Sequence, residues 1–319
     1  MRRIARGTCG HSIQGFTLLE LIIGLVLGAV IISAAVAFLI THIRSLEGSD
    51  IRENVARNDR YIGALLRRDV QMAGIDVKSS TKYGTVVVSP GSNGDTLAVL
   101  YAPYEPYAAP IYEIHPATAV SPPDTGQGTC GTHCIDFYLD PADTSTIQPG
   151  DLARVQVDMA RRLILISEVD VVASFLRVTF TSADTLLHQS AGLKDFMLKT
   201  PDGTTLQELR PIVYYLDDQE RLIRAERLNM DGSPDGEIVA YGVEEFEVSV
   251  VFADGDELEQ PNPVDSDDSN DYDDIVTVNV RVTVKAERAD PRVNGGELLR
   301  KTSEWHISPR NLRYEKNRM

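Results

Sequence analysis

One carboxylate, Glu20, lies inside an otherwise uncharged run of 25 residues, Phe16 to Ile40. An acid in such a run costs about 2.5–3.5 kcal/mol on membrane-insertion scales and usually marks function. Four residues beyond Phe16 it also meets the positive end of a helix dipole, and snorkelling to headgroups is the plainer use. Cys130 and Cys134 enclose Gly-Thr-His, a spacing open to a small disulfide loop, to a metal site with His133, or to free thiols. Ala253–Asp274 holds ten acids in 22 residues and no base. Asp265, Asp267 and Asp271 within it could offer oxygen ligands to Ca²⁺. The EF-hand spacing and its terminal Glu are absent, and a solvated loop is the simpler reading. Asn229–Asp235 is a second weak candidate, read more simply as a turn. Tyr101, Tyr104, Tyr107 and Tyr112 alternate with Pro103, Pro106 and Pro110 as either a partner-binding strip or a packed Pro-rich loop. No nucleophile elbow, zinc-protease, P-loop or dinucleotide signature occurs, so the sequence predicts no enzyme and, Ca²⁺ aside, no cofactor.

These residues need a membrane segment and an exported body to position them. Arg2, Arg3 and Arg6 precede the apolar run without an acid. About 20 apolar residues span a bilayer, and a basic flank stays in the cytoplasm. The chain is therefore expected to run N-terminus in and body out. The run is too long for a cleaved secretory signal, and no small-residue cleavage site follows it. Gly24 and Gly28 form a GxxxG pair suited to close helix packing or are ordinary membrane glycines. Residues 1–75 contain nine Arg, no Lys and six acids, a net of +3, whereas the rest of the 319-residue chain carries −19. The acid excess argues against nucleic acid as a partner. Outside the helix the clear basic cluster is Arg310, Arg313, Lys316 and Arg318.

From Thr41 to Ile75 the chain turns polar yet stays periodic. Ile43, Leu46, Ile51, Val55, Ile62, Leu65, Leu66 and Val70 recur near 3.6 residues, with Arg52, Arg57, Arg60, Arg67 and Arg68 on the other face and Asp59 and Asp69 between them. No Pro interrupts residues 16–75, so one helix of about 60 residues, roughly 90 Å at 1.5 Å per residue, is predicted to end at Gly74.

The run Gly15-Phe16-Thr17-Leu18-Leu19-Glu20, after a basic leader and before a long apolar helix, resembles the type IV prepilin (class III signal) motif. The resemblance implies cleavage by a prepilin peptidase between Gly15 and Phe16, N-methylation of Phe16, and pairing of Glu20 with a neighbouring subunit's Phe16 amine. Cleavage would remove Cys9, leaving Cys130 and Cys134 in an oxidising space, which favours the disulfide. Asn58-Asp59-Arg60-Tyr61-Ile62 and Leu65-Leu66-Arg67-Arg68-Asp69-Val70-Gln71-Met72-Ala73-Gly74 resemble the helix end of PilW-type minor pilins. Val213-Tyr214-Tyr215-Leu216, Leu222-Ile223-Arg224, Gly242-Val243-Glu244-Glu245-Phe246 and Ser308-Pro309-Arg310-Asn311-Leu312 resemble that family's later segments. The implied partners are the prepilin peptidase, other minor pilins, the major pilin, the inner-membrane assembly platform and lipid. GspJ-type minor pseudopilins of type II secretion share much of this pattern but are usually shorter. A membrane-anchored periplasmic binding or enzyme domain outside any filament is a third reading.

Four parts are expected: leader 1–15, transmembrane half-helix 16–40, amphipathic half-helix 41–75, and a β-rich periplasmic body 76–319. Candidate strands are Thr85–Val88, Thr96–Tyr101, Cys134–Leu139, Leu152–Val157, Leu163–Ser167 and Phe175–Phe180. Ile212–Leu216 and Arg221–Leu228 flank the polar turn 217–220. Val243–Phe252 and Ile275–Lys285 alternate, the latter with its valines inward and Asn279, Arg281, Thr283 and Lys285 outward, ahead of a last strand holding Trp305 and Ile307. The fold class is α+β, type IV pilin-like: a long N-terminal helix packed on antiparallel sheet.

Overall fold

The computed structural model describes residues 17–77, 79, 84–103, 111–114, 130, 134–140, 145–157, 160–172, 175–182, 204–262, 267 and 269–312. Two compact units divide the chain, Met1–Glu53 and Asn54–Met319. One helix, α1 (Leu18–Met72), enters both. Its start is set by Thr17, whose Oγ1 accepts from the Glu20 amide at 3.3 Å, the side-chain cap a helix start favours. In the first unit the apolar run is exposed, from Leu18 at 79% to Ile40 at 43%. Ile43 and Leu46, placed by periodicity on a packing stripe, are exposed as well.

In the second unit the stripe does pack: Val55, Ile62, Leu66 and Val70 are buried. Gly74 then takes φ +77, a conformation glycine adopts without steric cost, and donates its amide to Leu100 O at 3.0 Å. A Cβ there would lie 3.2 Å from the Leu312 side chain, so close packing also asks for glycine.

Fourteen strands are seen among the described residues, and every ladder is antiparallel. The first sheet is organised by β8 (Thr204–Leu216). Its second half pairs β2 (Thr96–Tyr101) on one side and β9 (Arg221–Leu228) on the other. Beyond these lie the edges β1 (Val86–Ser89) and β10 (Pro234–Tyr241). The first half of β8 pairs β3 (Tyr112–Glu113) and β5 (Leu152–Val157). From β5 the ladder continues through β6 (Ala160–Val172), β7 (Phe175–Ser182) and β4 (Cys134–Tyr138). Ile114, next to β3, bridges Phe137 on β4, so this circuit of pairings closes on itself. Its interior is apolar and includes Phe137, Ile135, Ile164, Ile166, Leu176, Val178 and Leu206.

The second sheet runs β12 (Glu257–Leu258), β11 (Val243–Phe252), β13 (Ile275–Lys285), β14 (Arg300–Ile307). Phe246, Val248, Val250 and Phe252 face the core, as their alternation predicts. Asn279 and Thr283, predicted outward, are buried instead. Neighbouring polar side chains satisfy them: Asn279 donates to Glu257 and meets His306 Nδ1, and Thr283 donates to Glu245 at 2.7 Å. Asp95 ties the sheets together, giving its amide to Phe246 O and accepting from the Val248 amide at 2.7 Å.

Candidate functional site

The Gly15–Glu20 motif read from the sequence begins outside the described residues, where Gly15 and Phe16 both lie. Its acid, Glu20, sits in the first turn of α1, exposed, with its backbone held by Thr17. Thr17 and Glu20 have the spacing of a capping box, but only the threonine half is made, and the Glu20 carboxylate has no partner among the described residues. α1 is long and apolar enough to cross a membrane, and none of its most apolar window is buried. Gly24 and Gly28 are open: a Cβ at either would meet nothing within 4 Å. The surface is therefore unsatisfied as it stands, an apolar cylinder with one carboxylate near its start, and needs lipid or other helices to cover it.

The second part of α1 carries the polar groups that fix it to the body. Asp69, fully buried, receives hydrogen bonds from Tyr214 Oη on β8, from Arg224 Nε on β9 at 2.6 Å, and from Arg68 Nε at 2.7 Å. Burial pushes the Asp69 carboxyl up, but these three donors outweigh it and hold the group below the ordinary carboxylate range. Burial, followed by the adjacent Asp69 charge, raises the Tyr214 phenol, which stays protonated and able to donate. Asp59 is buried too and pairs with Lys301 on β14. Periodicity placed both acids among the arginines of the polar face; matched donors on the sheets make their burial tolerable. Gly63 faces Trp305, where a Cβ would lie 2.7 Å from the indole. Asn311 donates from Nδ2 to the carbonyls of Gln71 and Ala73, both at 3.2 Å, capping the end of the helix.

The fold thus gathers residues that the sequence shows only as separate motifs: Arg68 and Asp69, Tyr214, Arg224 and Asn311. The contacts among Arg68, Asp69, Tyr214 and Arg224, and the Asn311 cap on the helix end, had no local sequence signal.

Cys130 and Cys134 form a disulfide. His133 lies outside the described residues. Asp136, close to both sulfurs, is held by Arg177 at 2.8 Å. In the acidic segment, Asp265 is outside the described residues. Asp267 accepts from the Ser269 amide and hydroxyl, and Asp271 is buried. Among the described residues no three carboxylates of this segment lie within 4.8 Å of one another. Asn229–Ser233 forms a turn into β10, with Ser233 Oγ donating to Asp231 at 2.6 Å. Of the tyrosine strip, Tyr112 is buried on β3 and Tyr101 half-buried on β2, while Tyr104 and Tyr107 lie outside the described residues.

Residues 11–36 match the Prokaryotic N-terminal methylation motif. No curated protein matches the chain. Among solved structures, a type IV-like pilin from Thermus thermophilus is similar over 81% of this chain and 97% of that one, at 12% identity and a TM-score of 0.35. The chain therefore carries the methylation motif of type IV prepilin-like proteins, on a long apolar helix followed by antiparallel sheets. The motif supports a general role as a pilin or pseudopilin.

Proposed function

We propose that this chain is a PilW-like minor pilin that helps prime or cap a type IV pilus. A prepilin peptidase cuts between Gly15 and Phe16 on the cytoplasmic side and methylates the Phe16 amine. The mature chain waits in the inner membrane with its body in the periplasm. It then joins other minor pilins and the major pilin on the assembly platform. Its work is packing and charge pairing, with no turnover of its own. The supporting observation is Glu20, a carboxylate without a described partner at the head of the exposed apolar part of α1. In hydrocarbon an unpaired charge is costly, and the amine of an entering subunit's Phe16 neutralises it. Gly24 and Gly28 give neighbouring helices a flat place to approach.

The test is Glu20→Ala at native expression. The reading expects normal membrane insertion, a marked fall in pilus number, and loss of co-purification with the other minor pilins. Intact pili with failed protein secretion would assign the chain to the pseudopilins of type II secretion instead. Unchanged pili, secretion and co-purification would leave it a membrane-anchored domain outside any filament.

A further inference from the structure

β10 ends the first sheet and pairs only with β9, so its outer edge carries main-chain groups that no described strand covers. Between that edge and α1 runs a groove of about 690 Å³. Four arginines line it, Arg68, Arg210, Arg224 and Arg227, against Glu226, Asp235 and Glu237. Glu226 is already engaged by Arg224. The Arg227 guanidinium makes no hydrogen bond or ion pair with a described side chain, its charge reaching Asp151 only at longer range, and Arg68 uses only Nε, on Asp69. Apolar surface borders these charges: Tyr61 is 53% exposed and Ile238 40%. Arg210 is held by Glu208 and Arg224 by Asp69 and Glu226, so the guanidinium groups that face a partner with donors to spare are those of Arg227 and Arg68.

The same body offers a complementary surface. The β11–β12 hairpin projects the exposed residues Asp254, Asp256, Glu257 and Glu259, with Leu258 exposed between the two glutamates. Asp254 is spent on the turn, accepting from the Asp256 amide, and Glu257 on Ser249 and Asn279. Asp256 and Glu259 have no side-chain partner among the described residues. Among the described strands β12 is also a sheet edge, pairing only with β11.

We propose that the acidic β11–β12 tip of one copy docks in the arginine groove beside β10 of the next. Arg227 and Arg68 meet Asp256 and Glu259, Leu258 enters beside Ile238, and the open edges of β10 and β12 can pair across the contact. Asp235 and Glu237 on the rim favour a register that keeps the incoming acids on the helix side. The two surfaces are different, so the contact is head-to-tail and repeats along a row of copies. It does not rest on cleavage or on Glu20, because both surfaces belong to the Asn54–Met319 unit.

The experiment is sedimentation of the full-length chain in detergent micelles at low and high salt. Wild type is expected to self-associate, more weakly at high salt. Arg227→Glu alone, and Asp256→Lys with Glu259→Lys alone, should each weaken association at least about tenfold. An equimolar mixture of the two variants should restore it, because each altered surface then has a matching partner. Circular dichroism melts confirm that the variants fold. A wild type that stays monomeric, variants that associate like wild type, or a mixture that stays dissociated would overturn the proposal.

Discussion

Arg224 on β9 donates from Nε to Oδ2 of Asp69 on α1 across 2.6 Å, joining residues 155 positions apart in the chain. Tyr214 reaches the same oxygen from β8. Both donors stand on the hairpin β8–β9, whose turn Asp217 holds by accepting from the amides of Gln219 and Arg221. A helix that continues from an apolar segment is thereby fixed to a sheet through one buried carboxylate.

Removing that carboxylate should be costly. Asp69→Ala leaves the Arg224 guanidinium, 13% exposed, without its buried counter-charge. The expected loss is about 3–5 kcal/mol. Urea unfolding of the detergent-solubilised chain, followed by circular dichroism, measures it; a loss below about 1 kcal/mol, the range of a surface pair, would contradict the role given to this site.

The same group sets a pH dependence. The folded Asp69 pKa lies below its ordinary value, because its donors outweigh burial. Its contribution is therefore complete above the unfolded carboxylate pKa of about 3.9 and is lost as pH falls through the lower folded value. The stability difference between wild type and Asp69→Asn should be constant above about pH 5 and shrink below about pH 4. A difference that grows on acidification would have the wrong sign.

Gly63 gives a prediction that changes sign with its neighbour. Alanine in mid-helix is worth about 1 kcal/mol over glycine. Here its Cβ would press on Trp305 at 2.7 Å, and overpacking of that kind costs about 1–3 kcal/mol. Gly63→Ala should destabilise the wild type yet stabilise the Trp305→Ala variant by up to about 1 kcal/mol. Thermal melts of the four chains decide it, and equal effects in both backgrounds would dismiss the contact.

The Cys130–Cys134 bridge closes a very short loop, with a sequence separation of 4. Chain entropy gives such a loop only about 2 kcal/mol. Cys130→Ser with Cys134→Ser should lower stability by no more than that and leave the far sheet β11–β14 intact. Global unfolding of the double variant would show that the bridge holds much more than its own loop.

The helix was legible because its apolar period and lack of proline extend without a break through residues 18–72. The alternating strands β11 and β13 were legible for the same reason. β10 was not: Pro-Asp-Gly-Glu opens it, and such residues are read as a turn. Gly236 in fact lets β10 approach β9, since a Cβ there would lie 2.6 Å from Arg224 O. The first half of β8 is mixed in polarity and leads into Pro211, which hid a strand of 13 residues. Of the candidate site, Glu20 stood out because a charge in an apolar run is conspicuous. The burial of Asp59 and Asp69 did not, because their partners on the sheets come from sequence 145–242 residues away.

The central claim concerns the N-terminus, and one measurement reaches it: intact mass with N-terminal sequencing of the chain extracted from its native membrane. Our account predicts a chain that starts at N-methylated Phe16, with residues 1–15 gone. A chain that retains its leader through Gly15, or that starts anywhere other than Phe16, would contradict it.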